Sequence, residues 1–422
     1  METPLSSETP EQIEALTNAF VDESWDPEMT VAEWWARMAG ANLTHPTLPI
    51  EAGGRGWSGA QAAVVGRTLA DRRVVGPPGG LGMLLAAPTI AANGSPGQIE
   101  RWVPRILDGT ESWCQLFSEP GAGSDLASLQ CRAVEDGDEW VITGQKVWTS
   151  NGHEADWGML IARTDPELPK HQGITYFGFP MDQDGVEVRP LTEMTGRALF
   201  NEVFISEARV STDDIIGGRG NGWRVANSTL MFERVGIGGG HGGGFGTASP
   251  GRIAGHLNRP VGEFLGRRGS ISVGAVGRRV LSLLSEEAEA RGRHRDPVVR
   301  DGLARLHMLH RIAAMTVKRQ AAERRSGRPS HGVEGNLAKI LNTRILHLAR
   351  DLTGEILGPD ATIVGRDAAT EGLLQELILF SPAPPIYGGT DEIQRNVIGE
   401  RGLGLPKEPG PDRDTPFKDL PK

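Results

Sequence analysis

Cysteine is nearly absent from this chain: two residues in 422, Cys114 and Cys131. Two cannot staple a chain of that length, and neither sits in a Cys-x-x-Cys or Cys/His cluster, so neither a disulfide scaffold nor a metal site is expected. Long apolar runs are also missing. The best candidate, Gly82 to Ala92, is broken by Pro88 and falls short of the roughly 18 residues a bilayer span needs. A basic excess is missing too: 44 Lys+Arg stand against 54 Asp+Glu, a net charge of −10, which argues against nucleic acid. A local anion site is not excluded by that total, because Arg side chains and backbone N–H groups bind phosphate wherever they cluster. The N-terminal segment is acidic and has no apolar core, so no signal peptide is expected. These absences together describe a soluble, cytoplasmic protein that binds neither nucleic acid nor membrane.

The hydrophobic fraction, 38%, is low but concentrated in periodic segments, which marks a globular chain, and 422 residues imply at least two cores. Residues 1–112 read as helical: Ile13, Leu16 and Phe20, then Val31, Trp34, Trp35 and Met38, recur at helical spacing. Further helices are expected through Ala62–Leu69, Met83–Ala91 and, opened by Ser95-Pro96, toward Leu107. Residues 113–220 change period from helical to alternating. Asp136-Gly137 marks a hairpin between Arg132–Val134 and Trp140–Ile142, and strand-like runs follow at 147–150, 157–163, 174–179, 186–191 and 201–210. They predict a small β-domain of six short strands, a barrel or a sandwich. Residues 221–405 are helical again. Leu303, Leu306, Leu309, Ile312, Ala313 and Thr316 trace one long helix face, and Leu337, Leu341, Ile345, Leu348 and Leu352 another, which suggests an antiparallel bundle. The glycine-rich stretch 236–246 reads as a mobile loop, with no Gly-Lys-Ser/Thr phosphate cradle, and the tail 406–422 as frayed.

Two stretches carry chemistry. Cys114–Asp125, CQLFSEPGAGSD, is a polar glycine-rich turn that lets backbone approach a ligand and offers the hydroxyls of Ser118 and Ser124; an ordinary interdomain turn is the competing reading. Gly144–Gly152, GQKVWTSNG, puts Trp148 at a strand end beside Thr149 and Ser150, where a flat ring suits either a planar cofactor or a core. With IYGGTDEIQRN at 386–396, these stretches resemble, in order and separation, three motifs of the acyl-CoA dehydrogenase family. The resemblance covers roughly residues 10 to 405. It implies the family's mainly helical α+β fold: an N-terminal helical domain, a central β-barrel domain and a C-terminal antiparallel helical bundle. It also implies FAD, an acyl-CoA substrate oxidised to the trans-2-enoyl-CoA, and electrons passed to an electron-transfer flavoprotein. Gln115, Leu116, Phe117, Ser118, Gly123 and Ser124 would then line FAD, with Ser124 also facing the pantetheine. Trp148 and Ser150 would flank the isoalloxazine, and Thr390 and Glu392 would meet the adenosine end. Glu392 reads equally as an exposed helix residue, and it stands where the family usually has Gln.

The pattern breaks at the base. Most members abstract the substrate's α-proton with the Glu of a Tyr-Glu-Gly-Thr sequence, and here that position is Gly388. A minority, of the isovaleryl-CoA dehydrogenase type, carries the Glu on the first long helix after the β-domain. Leu230-Met231-Phe232-Glu233-Arg234 matches that stretch, so the resemblance makes Glu233 the base and Arg234 a substrate contact. Apolar neighbours would raise such a carboxyl toward neutrality by desolvation. Gly388 keeps its N–H, which can still donate to the developing enolate oxygen. An ordinary surface glutamate is the other reading of Glu233. The family's Arg-x-x-Phe-Gly is absent; Arg291, Arg293 or Arg295 would take its place. Pro359 removes a backbone donor from the segment Glu355–Asp360. A short, branched or ring-bearing acyl group is expected. The chain would form a homo-oligomer, dimer or tetramer. The alternatives are a non-catalytic or half-catalytic subunit of a hetero-oligomer, and a flavin oxidase or monooxygenase on the same fold.

Overall fold

The computed structural model describes residues 7–239, 248–265, 279–326, 332–365, 367–407 and 414–420. The chain divides into two compact units, Met1–Glu193 with Ala198–Arg268 and Gly410–Lys422, and Met194–Arg197 with Gly269–Pro409.

The first unit begins with helices whose starts are written in the sequence. Helix α1 (Pro10–Ser24), α2 (Val31–Gly40), α3 (Gly59–Asp71) and α5 (Pro96–Leu107) each open on a Thr or Ser whose side chain accepts from the backbone N–H three residues on. In each, that third residue is Gln or Glu and bonds back, satisfying two orphan donors at once. Helix α4 (Ala87–Asn93) runs on directly from a π-helical turn, Gly82–Ala86, and Pro88, which has no N–H to give, sits just past that turn. The tryptophans Trp34 and Trp35 fill the helical core, their indole N–H groups donating to the carbonyls of Val75 (2.7 Å) and Gly76 (2.9 Å).

The β-domain is one seven-stranded sheet: β1 (Trp113–Leu116), β2 (Arg132–Asp136), β3 (Glu139–Ser150), β4 (Trp157–Arg163), β5 (Ile174–Pro180), β6 (Val186–Leu191) and β7 (Phe200–Ser211). Its order is β1-β4-β2-β3-β7-β6, with β5 paired to β4. It curls around Trp140, Phe177, Phe179, Val203 and Ile205, all buried. The expected Asp136-Gly137 hairpin joins β2 and β3. The sheet has seven strands where six were expected, and two of them differ from the runs read in the sequence. The runs at 140–142 and 147–150 fuse into β3, and the first motif itself supplies β1.

Helix α6 (Gly222–Gly239) follows, packed by Val225, Ala226 and Thr229. It corrects the reading of 236–246 as a loop: Gly236–Gly239 are the helix's last turn, and 240–247 lie outside the described residues. Residues 248–265 return to the N-terminal helices, where Val31 N–H donates to the Arg259 carbonyl (3.0 Å) and Phe264 joins the Trp34 core. The tail also departs from expectation. Residues 414–420 are not frayed but lie against the β4–β5 loop, with Phe417 N–H donating to the Leu168 carbonyl (3.0 Å) and Lys418 N–H to the Pro166 carbonyl (3.1 Å).

The second unit holds α7 (Val280–Ala290), α8 (Pro297–Arg325), α9 (Glu334–Leu357), α10 (Leu373–Phe380) and α11 (Asp391–Val397). Leu284, Leu306, Leu346, Leu352 and Leu374 form its core. The long-helix faces read from sequence hold for Leu306, Ile345 and Leu352, but Ile312 is 51% exposed and faces outward. Among the described residues no helix is long and apolar enough to cross a membrane, and no His/Cys/Asp/Glu group could hold a metal ion.

Candidate active site

The first motif is a tight turn hung between β1 and a single 3-10 turn, Leu126–Ser128. Glu119 and Ala122 exchange backbone hydrogen bonds of 3.1 and 3.0 Å, and Gly121, Gly123 and Ser124 stand exposed beyond them. Leu116 and Phe117 bury their side chains, Leu116 in the β-domain core and Phe117 edge-on to Tyr176, so they offer a ligand only backbone. Gln115 is half-buried on β1, and Ser118 accepts at its carbonyl from the Val147 N–H (2.9 Å), which ties the first motif to the second.

A buried ion pair makes the same tie from inside, and the sequence reading missed it. Lys146 is fully buried; its Nζ donates to Glu119 Oε1 (2.9 Å) and to the Phe117 carbonyl (3.0 Å). Glu119 also accepts from the N–H groups of Gln130 (2.6 Å) and Cys131 (2.9 Å). A carboxylate with three donors and a lysine with two acceptors satisfy each other in a dry place, so these motif residues fix the turn's shape. The available signal was an inward-facing lysine on an otherwise alternating strand.

The second motif ends in strain. The β3–β7 register shifts between Lys146 and Thr149, and Trp148 at that bulge has a left-handed φ of 61°. A bulky residue there costs about 1–3 kcal/mol, and such strain gathers at ligand sites. It turns the Trp148 ring out to 61% exposure, one edge against Phe200. Ser150 ends the strand opposite Phe200, and buried Asn201 braces the bulge by donating to the Thr149 carbonyl (2.9 Å). The buried Thr149 hydroxyl has no hydrogen-bond partner among the described residues. A 150 Å³ cavity opens beside Ser150, bordered by Met83, Ser112, Trp113 and Glu154. An exposed ring on a strained bulge, hydroxyls beside it and an open glycine turn tied to it form a platform that fits a planar cofactor with a phosphate tail.

Helix α6 runs beside this platform. Its inward stripe is Val225, Ala226, Thr229, Phe232 and Glu233, and Glu233 is half-buried one turn beyond Thr229. Thr229 Oγ1 lies 3.0 Å from Thr89 Oγ1 and 3.2 Å from the Tyr176 hydroxyl, a buried cluster that fixes the helix's rotation; burial pushes the Tyr176 hydroxyl well up and keeps it neutral. Leu230 and Phe232 pack on the core, whereas Met231 is 49% exposed and takes no part in drying Glu233. The Arg234 side chain lies outside the described residues.

In the second unit the third motif is another glycine turn held by a buried pair. Asp391 Oδ1 accepts from Lys339 Nζ (2.8 Å) and Thr343 Oγ1 (3.1 Å), and buried Gln394 donates to the carbonyls of Gly388 (2.7 Å) and Gly389 (3.2 Å). No group among the described residues accepts from the Gly388 N–H. Gly388 has a φ of 62°, so this position suits glycine and would strain a glutamate. Thr390 caps α11, accepting from Ile393 N–H (3.2 Å), and Glu392 is solvent-facing and paired with Arg395 (3.1 Å). Arg291 is paired with Glu287 and Asp360 and Arg293 with Asp296, while Arg295 makes no ion pair among the described residues. Both cysteines are free and buried; burial pushes Cys114 up to about 12 and Cys131 to about 11, so neither is a nucleophile.

A helical–β–helical chain with such a platform has the architecture of a flavin-dependent oxidoreductase. Family models for the acyl-CoA dehydrogenase N-terminal, middle and C-terminal domains match residues 7–110, 114–207 and 258–403. The chain belongs to the acyl-CoA dehydrogenase family, whose members are FAD-dependent oxidoreductases of lipid metabolism. It is 38% identical over 379 residues to the acyl-CoA dehydrogenase IpdE1 of Mycobacterium tuberculosis, covering 89% of this chain and 88% of that one. Among solved structures, the Tcur3481-Tcur3483 steroid ACAD is 25% identical with a TM-score of 0.71, covering 94% of this chain and 97% of that one. The ChsE4-ChsE5 complex from Mycobacterium tuberculosis is 26% identical with a TM-score of 0.69, covering 96% of this chain and all of that one.

Proposed function

We propose that this chain oxidises the α,β carbons of an acyl-CoA thioester, with Glu233 as the base that removes the α-proton. The observation that carries this is Glu233's place on the inward stripe of α6, while the turn where most relatives keep a glutamate has glycine at a left-handed φ. The residues of the platform, from Gln115 to Ser124 with Trp148 and Ser150, would hold FAD by backbone approach, hydroxyls and ring contact, and Thr390 and Glu392 would meet its adenosine end. When bound, FAD supplies the acceptor for the substrate's β-hydrogen as hydride. Glu233 takes the α-proton onto its carboxylate. Gly388 offers its N–H to the thioester oxygen as negative charge develops there. Ser124 contacts the CoA portion.

A ring-bearing acyl group is the substrate class we favour, because one of the similar solved structures is named a steroid enzyme. An electron-transfer flavoprotein takes the electrons, and the cytoplasm is the location that fits two free, buried cysteines. Anaerobic titration of the FAD-loaded protein with straight, branched and ring-bearing acyl-CoAs tests the reading. Bleaching of the flavin by one class supports it and names the class; bleaching by none refutes it.

One observation favours a second chain in the working assembly. Helix α8 exposes Met308 (54%), Ile312 (51%) and Met315 (58%) in one stripe. That helix carries six Arg and one Lys against one Asp and one Glu, in a chain of net charge −10. Two copies of so basic a face repel each other, whereas an acidic companion face complements it. Both solved structures above carry the names of two components. Light scattering on the purified chain decides: an incomplete assembly with loosely held FAD fits a companion subunit, and an FAD-loaded homotetramer contradicts it.

A further inference from the structure

The segment 414–420 is joined to the first motif by a continuous set of contacts that the proposed chemistry does not use. Beyond its two backbone hydrogen bonds to the β4–β5 loop, Lys418 pairs with Glu167 of that loop (2.6 Å). The Phe417 ring lies 3.7 Å from the guanidinium carbon of Arg163, a residue only 4% exposed. That guanidinium donates from Nη2 to the carbonyls of Ala127 (2.6 Å) and Leu129 (3.5 Å), and from Nη1 to the Lys170 carbonyl (2.6 Å). Its Nε has no partner among the described residues. Lys170 Nζ in turn grips both oxygens of Asp125 (2.8 Å each), the residue after Ser124. Burial would raise the Asp125 carboxyl, but the Lys170 and Ser128 hydrogen bonds outweigh it and hold it below the usual range.

Arg163 is therefore a buried cation with a carbonyl cluster on one side and an aromatic face on the other. Burial lowers it to about 10, so it keeps its charge at neutral pH. Without the ring it would open to water on the face where Phe417 sits, and its hold on the 126–129 backbone would weaken. We infer that residues 414–420 are a strap that positions the 119–129 turn, through Arg163 and Lys170, for binding the CoA thioester. Arg163, Lys170 and Phe417 are positioning residues; none reaches the reacting atoms. That the turn receives CoA at Ser124 rests on the function proposed above, whereas the strap's grip on the turn does not.

The test uses full-length FAD-loaded protein and coenzyme A itself, which binds without reacting. Phe417→Ala weakens coenzyme A about tenfold and speeds amide exchange at residues 126–131 by a similar factor, the size expected for a desolvated cation–π contact. Turnover at saturating acyl-CoA stays within about twofold, because Phe417 stabilises bound substrate and transition state alike. Phe417→Trp keeps a ring over Arg163 and restores both readings. Lys418→Ala, which touches only an exposed pair, reads the same strap should Phe417→Ala not fold. Unchanged exchange at 126–131, or unchanged coenzyme A affinity, overturns the inference. Wild-type protein that binds coenzyme A but bleaches with no acyl-CoA would instead sink the proposed dehydrogenation and leave the strap measurable.

Discussion

The two glycine turns of this protein are built alike and equipped differently. Each is fixed from behind by a buried lysine–carboxylate pair, Lys146–Glu119 in the first unit and Lys339–Asp391 in the second. The first leaves Gly121 and Gly123 exposed, whereas Gly388 and Gly389 of the second are half-buried. The first turn stands beside a helix that brings in a half-buried carboxylate, Glu233. The second has glycine at position 388 and holds a φ of 62° there. The comparison separates two jobs: shaping a glycine turn, which a buried pair does in both units, and supplying a base, which the proposed function assigns to the first unit alone.

Breaking either pair shows how much each turn depends on it, and the units can be read apart. All ten tryptophans lie in the first unit, so their fluorescence reports that unit alone, while far-UV circular dichroism reports both. The largest effect is expected from Lys146→Met. It strands a buried carboxylate and costs about 3–5 kcal/mol, read as a lowered tryptophan unfolding midpoint together with loss of FAD. Asp391→Asn takes a charged partner from Lys339 and costs about 1.5–3 kcal/mol, read in circular dichroism with the tryptophan transition unmoved. If both transitions shift together in either variant, the pairs do not act locally. Gly388→Glu puts a carboxylate into the second turn but forces it into a left-handed φ, at about 1–2 kcal/mol. It should not rescue activity in a chain lacking Glu233, and recovery of turnover there would show the second turn still competent to hold a base.

The same contrast explains what could be read from sequence. The start of α5 was read from Ser95-Pro96 because a capping signal is local; Thr9, Thr30 and Ser58 carry the same signal, a Gln or Glu three positions on, which the sequence reading passed over. The platform was legible as a motif, since Trp148, Ser150 and the glycines of 121–123 are contiguous in each stretch. Its rigidity was not, because Lys146 meets Glu119 across 27 residues: the alternation of β3 marks the lysine as inward-facing but does not say what it pairs with. Periodicity placed Ile312 on the buried face of α8, yet it is exposed, because a stripe apolar on more than one side does not say which side the chain covers itself. The tail looked frayed for the same kind of reason: Phe417 is ordered by Arg163, more than 250 residues earlier, and composition carries no trace of that contact.

The smallest effect is a pH dependence confined to the second unit. Burial, with His307 adding to it, lowers His310 below its ordinary value of 6.5. A folded-state value below the unfolded one means stability that is present above about 6.5 and lost as pH falls through the folded value. The circular-dichroism midpoint should therefore drop between pH 7 and pH 5, and His310→Leu should flatten part of that slope. An unchanged slope would show that His310 is neutral in neither state to a different degree.

The central claim is that the working base sits on α6 rather than in the second glycine turn. Glu233→Gln keeps the side chain's size and removes its basicity, so single-turnover reduction of bound FAD by the best acyl-CoA measures it directly. The account predicts that the variant holds FAD and binds that acyl-CoA as the wild type does, with flavin reduction slowed by about 10²–10⁴-fold. Reduction at the wild-type rate would contradict it.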